Sequence, residues 1–83
     1  MEIKVLGTGC KSCKKLYQNT KEAAINLGVI EDVAYVTDIA EISRLGVYKT
    51  PAVIINNVIV SLGNVLSVEQ LRKIIIKYQK PIV

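Results

Sequence analysis

Glu2-Ile3-Lys4-Val5-Leu6 alternates polar and apolar residues before turning apolar, and Gly7-Thr8-Gly9 breaks the run. With β-branched Ile3 and Val5 this reads as a strand. Leu16, Thr20, Ala23, Ala24 and Leu27 then recur at helical spacing. That helix is expected to begin near Cys10 and to stop at Gly28, a residue suited to the C′ position. Val29 through Thr37, with Val33, Tyr35 and Val36, suggests a second strand. Two strands joined by a helix run parallel, with a right-handed crossover.

The remainder continues the alternation. Asp38, with Glu41 three positions on, has the pattern of a helix N-cap with a capping-box partner, and a short helix from Ile39 to Leu45 would end at Gly46. Pro51 to Ile55 and Val58 to Leu62 are two β-rich runs. Asn56-Asn57 between them tolerates the left-handed backbone of a two-residue hairpin turn. Ser67 and Gln70 repeat the capping-box pattern, and Val68, Leu71, Ile75 and Tyr78 share one helical face with Ile74 beside them. Ile76 falls toward the opposite side, and Pro81 ends the pattern. The order β-α-β-α-β-β-α predicts an α/β fold with a four-stranded mixed sheet and flanking helices. At 83 residues, below the common domain size of ~100–150, the chain is expected to be one domain over residues 1–83.

Composition narrows the function. An apolar fraction of 51% excludes a disordered chain. Apolar runs such as 51–55 and 74–76 fall far short of the ~20 residues of a membrane span. Glu2 and Lys4 charge the N-terminus, so no secretory leader is expected and the reading is cytoplasmic. The net charge of +4 is mildly basic. The aromatics are only Tyr17, Tyr35, Tyr48 and Tyr78, and the cations are spread apart from Lys11, Lys14 and Lys15. That is not the basic stripe with interleaved aromatics of a nucleic-acid binder. The chain has no His, which removes the usual general base near neutral pH and the Cys–His pair of cysteine hydrolases.

The two cysteines, Cys10 and Cys13, stand in Cys-Lys-Ser-Cys. A bridge between residues so close closes almost no loop and is a poor structural staple. In a reducing compartment such a disulfide is transient and catalytic. A tetrahedral zinc site needs about four ligands, usually two such pairs, so a metal here would need a second chain or a small thiol. The pair falls where the first strand meets the first helix. A helix N-terminus offers unpaired N–H groups and the positive end of its dipole, both of which favour a thiolate. Cys10 would lie outside the first turn and Cys13 one turn in, near enough to resolve a mixed disulfide. Lys11, Lys14 and Lys15 add positive charge nearby; their other reading is a solvated helix face.

A strand, Cys-x-x-Cys opening a helix, and Thr50-Pro51 leading into a hairpin strand together resemble the thioredoxin superfamily, over nearly the whole chain. Gly7-Thr8-Gly9-Cys10-Lys11-Ser12-Cys13 and the small size are similar to its small glutaredoxin-like "redox-active disulfide" proteins. The resemblance implies a minimal thioredoxin-like fold, with Cys10 as nucleophile and Cys13 as resolving thiol. It also implies a cis Thr50–Pro51 bond facing the pair, so that Thr50 and Pro51, with Gly9 and Lys11, contact the substrate. Gly9 precedes the pair where thioredoxins proper carry Trp. Leu62-Gly63-Asn64 has one Gly and no Asp, where glutaredoxins hold glutathione on a Gly-rich turn with Asp.

The resulting expectation is a thiol–disulfide oxidoreductase needing no metal or organic cofactor. It would act as a monomer on a disulfide-containing protein or small thiol substrate and draw electrons from a reductase or a small thiol, with neither nucleic acid nor membrane as partner. The alternative is a soft-metal or iron–sulfur carrier using the same two thiolates. Heavy-metal-associated domains also place Cys-x-x-Cys after the first strand, but their order β-α-β-β-α-β ends in a strand.

Overall fold

Alternation along the two central strands decides the layering. A computed structural model describes residues 1–29 and 32–79. In it the first strand, β1 (Ile3–Leu6), sends Ile3 and Val5 to one side of the sheet and Leu6 to the other. Strand β3 (Ala52–Ile55) does the same with Val53 and Ile55 against Ala52 and Ile54. The helices then divide between the faces. Helix α1 (Lys11–Asn26) covers Val5, Val53 and Ile55 with Leu16, Ala23 and Ala24, and α3 (Val68–Tyr78) adds Leu71 and Ile75 to the same cluster. Helix α2 (Ile39–Arg44) contributes Ile42 to the smaller cluster on the opposite face, beside Val47, Leu6, Ala52 and Ile54.

The sheet order is β2-β1-β3-β4, with β2 (Ala34–Val36) parallel to β1 and the other neighbours antiparallel. Every residue of β3 is buried, which explains why 52–55 is continuously apolar where an edge strand would alternate. Strand β4 (Val58–Leu62) closes one edge through the Asn56-Asn57 turn. Both asparagines have positive φ, 50° and 67°, as a type I′ hairpin demands.

Three local departures from the sequence reading have plain causes. Strand β2 begins at Ala34 rather than near Val29, because Val29 belongs to the end of α1. Gly28 at φ 73° lets the Val29 N–H reach the Ala24 carbonyl and its own N–H reach that of Ile25, a Schellman ending. Asp38 caps α2 by accepting from the Ala40 N–H at 3.0 Å, but Glu41 turns instead to the Arg44 guanidinium, an i,i+3 ion pair that replaces the expected capping box. Leu45 is the C-cap of α2 rather than its last helical residue. The capping box at Ser67 and Gln70 forms in full, at 3.2 Å and 2.9 Å. Ile76 is exposed, as its place on the helix requires. Pro81 lies outside the described residues.

Two side-chain bonds tie the helices together. Asn19 Nδ2 donates to the Leu66 carbonyl at 2.9 Å, fixing α1 to the turn before α3, and Gln79 Nε2 donates to the Leu27 carbonyl at 3.2 Å. The buried hydroxyl of Thr20 is satisfied by the Leu16 carbonyl one turn back.

Candidate active site

The site begins with the turn from β1 into α1. The Gly7 N–H donates to the Val36 carbonyl and extends the β1–β2 pairing by one residue. Gly7 is buried against Cys13: a Cβ on it would lie 2.6 Å from the Cys13 Cβ, which no real pair of carbons tolerates. Gly9 at φ 91° takes the chain through a left-handed conformation that a side chain would oppose. Extended backbone at Cys10 (φ −71°, ψ 170°) then makes that residue the N-cap of α1.

Cys10 therefore caps the helix with sulfur. Its Sγ accepts from the Cys13 backbone N–H at 3.4 Å and lies 2.7 Å from the Cys13 Sγ. Cys10 is exposed, whereas Cys13 is fully buried beneath it. The two thiols are driven apart electrostatically. Hydrogen bonds from the Cys13 thiol, and then from the Cys13 and Ser12 backbone N–H groups, hold the Cys10 pKa below its ordinary value. Burial pushes the Cys13 thiol up, and its role as donor to Cys10 adds to the rise. Lys11, Lys14 and Lys15 are exposed on the helix surface and do not figure among the causes of the Cys10 shift; hydrogen bonding at the helix start accounts for it.

The Thr50–Pro51 peptide is cis, as the family resemblance implies, and leads into Ala52, which pairs with Leu6 at the end of β1; Pro51 is buried and Thr50 half-buried. The Pro51 carbonyl accepts from the Gly63 N–H at 2.8 Å and locks this corner to the end of β4. An open depression beside the site is lined by Thr8, Ile39, Ile42, Val47, Tyr48 and Thr50, among them the strongly exposed Tyr48 and Ile39. A larger depression lies at the other end of the sheet, around Glu2, Asp32, Asn56 and Asn57, and holds neither cysteine.

Comparison with known proteins agrees with this geometry. The thioredoxin domain family matches residues 1–76. A protein named thioredoxin from Methanocaldococcus jannaschii is 39% identical over 71 residues, covering 86% of this chain and 81% of its own length. Another thioredoxin, from Methanothermobacter thermautotrophicus, is 29% identical over 75 residues, covering 90% of this chain and 97% of its own. The chain belongs to the thioredoxin domain family.

The residues singled out in the sequence come from three stretches of this family member. The β1–α1 turn carries Gly9 and Cys10, the first turn of α1 carries Lys11 and Cys13, and the approach to β3 carries Thr50 and Pro51. Among the described residues no three His, Cys, Asp or Glu side chains cluster to hold a metal, and no helix is long and apolar enough to cross a membrane. One nearby group escaped the sequence reading. Tyr35 of β2 stacks on Tyr17 of α1 with ring centroids 4.7 Å apart, and its hydroxyl is buried with no hydrogen-bond partner. Only the parity of β2 against β1 signalled that this tyrosine would face α1.

Proposed function

We propose that this single domain is a thiol–disulfide oxidoreductase whose nucleophile is Cys10 and whose resolving thiol is Cys13. The observation that carries the reading is an exposed sulfur capping a helix, with a second, buried sulfur 2.7 Å behind it. The lowered pKa of Cys10 supplies thiolate, the species that attacks disulfides. Cys10 Sγ bonds to one sulfur of the substrate, and the other departs as a thiolate that takes a proton from solvent. Cys13 then loses its proton and attacks Cys10 Sγ. The second substrate sulfur leaves as a thiol, and the two electrons given to the substrate come from the Cys10–Cys13 pair, now a disulfide. A reductase or a small thiol returns them.

The substrate would lie across Gly9 and Lys11 on one side and Thr50 and Pro51 on the other. Gly9 leaves backbone beside the sulfur with no side chain in the way, and an extended segment can pair with backbone near Pro51. The protein would act as a monomer in the reducing cytoplasm, on a disulfide-bearing protein or small molecule.

The test is to purify the protein, measure bound metal, and assay reduction of a model disulfide with dithiothreitol as donor. Turnover by metal-free protein supports the reading. Stoichiometric soft metal or an iron–sulfur cluster without turnover overturns it in favour of a carrier.

A further inference from the structure

Among the described residues the hydroxyls of Tyr35 and Ser61 are buried without a hydrogen-bond partner, and Tyr35 is the one that feels the charge of the thiols. Register places it. In the parallel β1–β2 pairing Tyr35 stands opposite Val5, and Val36 stands opposite Leu6. Val5 faces the cluster under α1 and α3, and Tyr35 packs against the same cluster. One residue further along, the Val36 carbonyl receives the Gly7 N–H, and Gly7 lies against Cys13. Tyr35 therefore leaves the sheet on the helix-covered face, at the end of the strands where the cysteines sit. Tyr17, one helical turn beyond Cys13, stacks on its ring at an interplanar angle of 14° and fixes its direction. The Gly9 backbone N–H weakly opposes the rise in the Tyr35 pKa, but the hydroxyl has no hydrogen-bond partner.

A buried hydroxyl without a partner carries a desolvation cost that a satisfied one does not, and phenylalanine would fill the same space without it. The hydroxyl has work to do only if a partner arises during the reaction. Such a partner arises when Cys13 is deprotonated. At rest its sulfur is engaged with Cys10. In the mixed disulfide Cys10 is no longer a thiolate, and Cys13 must shed its proton inside an apolar wall.

We propose that Tyr35 is a positioning residue for the resolving step, offering its O–H as a hydrogen bond to the Cys13 sulfur as that sulfur becomes a thiolate. The proposal rests on the dithiol-exchange reading of the pair. The proton of Tyr35 stays on its oxygen. The Cys13 proton passes to the departing substrate sulfur, the Cys13–Cys10 bond forms, and the Cys10–substrate bond breaks with its electron pair leaving on the substrate. The titratable groups facing Tyr35 are Cys13 and Cys10 from the start of α1 and Tyr17 from its second turn, with Lys21 standing 5.4 Å over the Tyr17 ring. From β1 the facing residue is apolar Val5. No carboxylate figures among the groups acting on Tyr35. Burial raises its pKa, and negative charge on Cys13 and then Cys10 raises it further, so the phenol keeps its proton while the thiols titrate.

The test is Tyr35→Phe, which keeps the ring stack and removes only the oxygen. Rates of iodoacetamide labelling of each cysteine in the reduced protein are followed across pH by peptide mapping. The expected result is a Cys13 profile displaced to higher pH, with about tenfold slower labelling at a fixed pH below the midpoint. The Cys10 profile, and both profiles in Tyr17→Phe, should be unmoved. In stopped-flow exchange with a model disulfide, the Tyr35→Phe mixed disulfide at Cys10 should persist about tenfold longer while forming at the same rate. A Cys13 profile identical to wild type overturns the proposal. Should Tyr35→Phe fail to fold, the unaltered protein decides by NMR titration of the Tyr35 ring, which should ionise at lower pH with the pair oxidised than reduced. Indifference to redox state overturns the proposal. If the unaltered protein reduces no disulfide, the oxidoreductase reading fails by itself, and the labelling arm still measures whether Tyr35 acts on Cys13.

Discussion

Gly7 touches Cys13 across the strand-to-helix turn, with no room for a side chain between them. The residue that follows β1 must lack a Cβ for the second thiol to be buried directly behind the first. Gly7→Ala forces Cys13 or the turn to move, and overpacking of a buried site costs about 1–3 kcal/mol. The expected outcome is a lower denaturation midpoint together with faster labelling of Cys13. A Gly7→Ala protein of unchanged stability with Cys13 still protected would show that the contact does not hold the thiol in place.

The two thiols should separate in pH. Cys10 is lowered by hydrogen bonds from Cys13 and the helix start, whereas Cys13 is raised chiefly by burial. At mildly acidic pH iodoacetamide should modify Cys10 alone, with Cys13 following only above the ordinary thiol range. Peptide mapping after timed quenching reads this directly. Labelling of Cys13 first would reverse the assigned roles.

The same shifts make stability depend on pH in the reduced protein, with opposite signs for the two groups. The folded pKa of Cys10 lies below its unfolded value, so its contribution is present above the unfolded pKa and lost as pH falls through the folded one. The folded pKa of Cys13 lies above its unfolded value, so its contribution is present below the unfolded pKa and lost as pH rises through the folded one. The difference in melting temperature between reduced and oxidised protein should climb toward the ordinary thiol pKa and decline beyond it. Oxidation abolishes both titrations, while other groups largely cancel in the difference. A difference that stays flat from about pH 6 to 10 would contradict these assignments.

Helix α3 is held by packing more than by its cap. Leu71 and Ile75 are fully buried, so Leu71→Ala should cost about 2–5 kcal/mol, whereas Ser67→Ala, which removes the capping hydroxyl, should cost about 1 kcal/mol. Urea denaturation of the two variants checks the ranking.

Much of this was legible in the residues. The order of the seven elements among the described residues followed from periodicity and from Gly28, Gly46 and Asn56-Asn57, because each marks a backbone conformation that few residues adopt. The cysteine pair announced itself by spacing and by its place between a strand and a helix. What stayed hidden depends on contacts distant in sequence. Glu41 had two local partners of similar worth, the Asp38 backbone and the Arg44 guanidinium, and nothing in the sequence ranks them. Gly7 read as one more breaker in a turn, because its contact with Cys13 exists only once the helix is docked. Tyr35 read as an ordinary strand aromatic, because the dry surroundings of its hydroxyl are built jointly by β1, β2 and α1. The lysines beside Cys10 invited an electrostatic explanation that helix-start hydrogen bonds replace.

The central claim, that Cys10 attacks and Cys13 resolves, is tested most directly by trapping. Cys13→Ser protein is mixed with a disulfide-bonded peptide, and the products are mapped by mass spectrometry of the intact protein and its fragments. The account predicts one peptide attached through Cys10, stable until reductant is added, and no comparable adduct on Cys10→Ser. An adduct at Cys13 of the Cys10→Ser protein, formed as fast as the one at Cys10 of the Cys13→Ser protein, would contradict it.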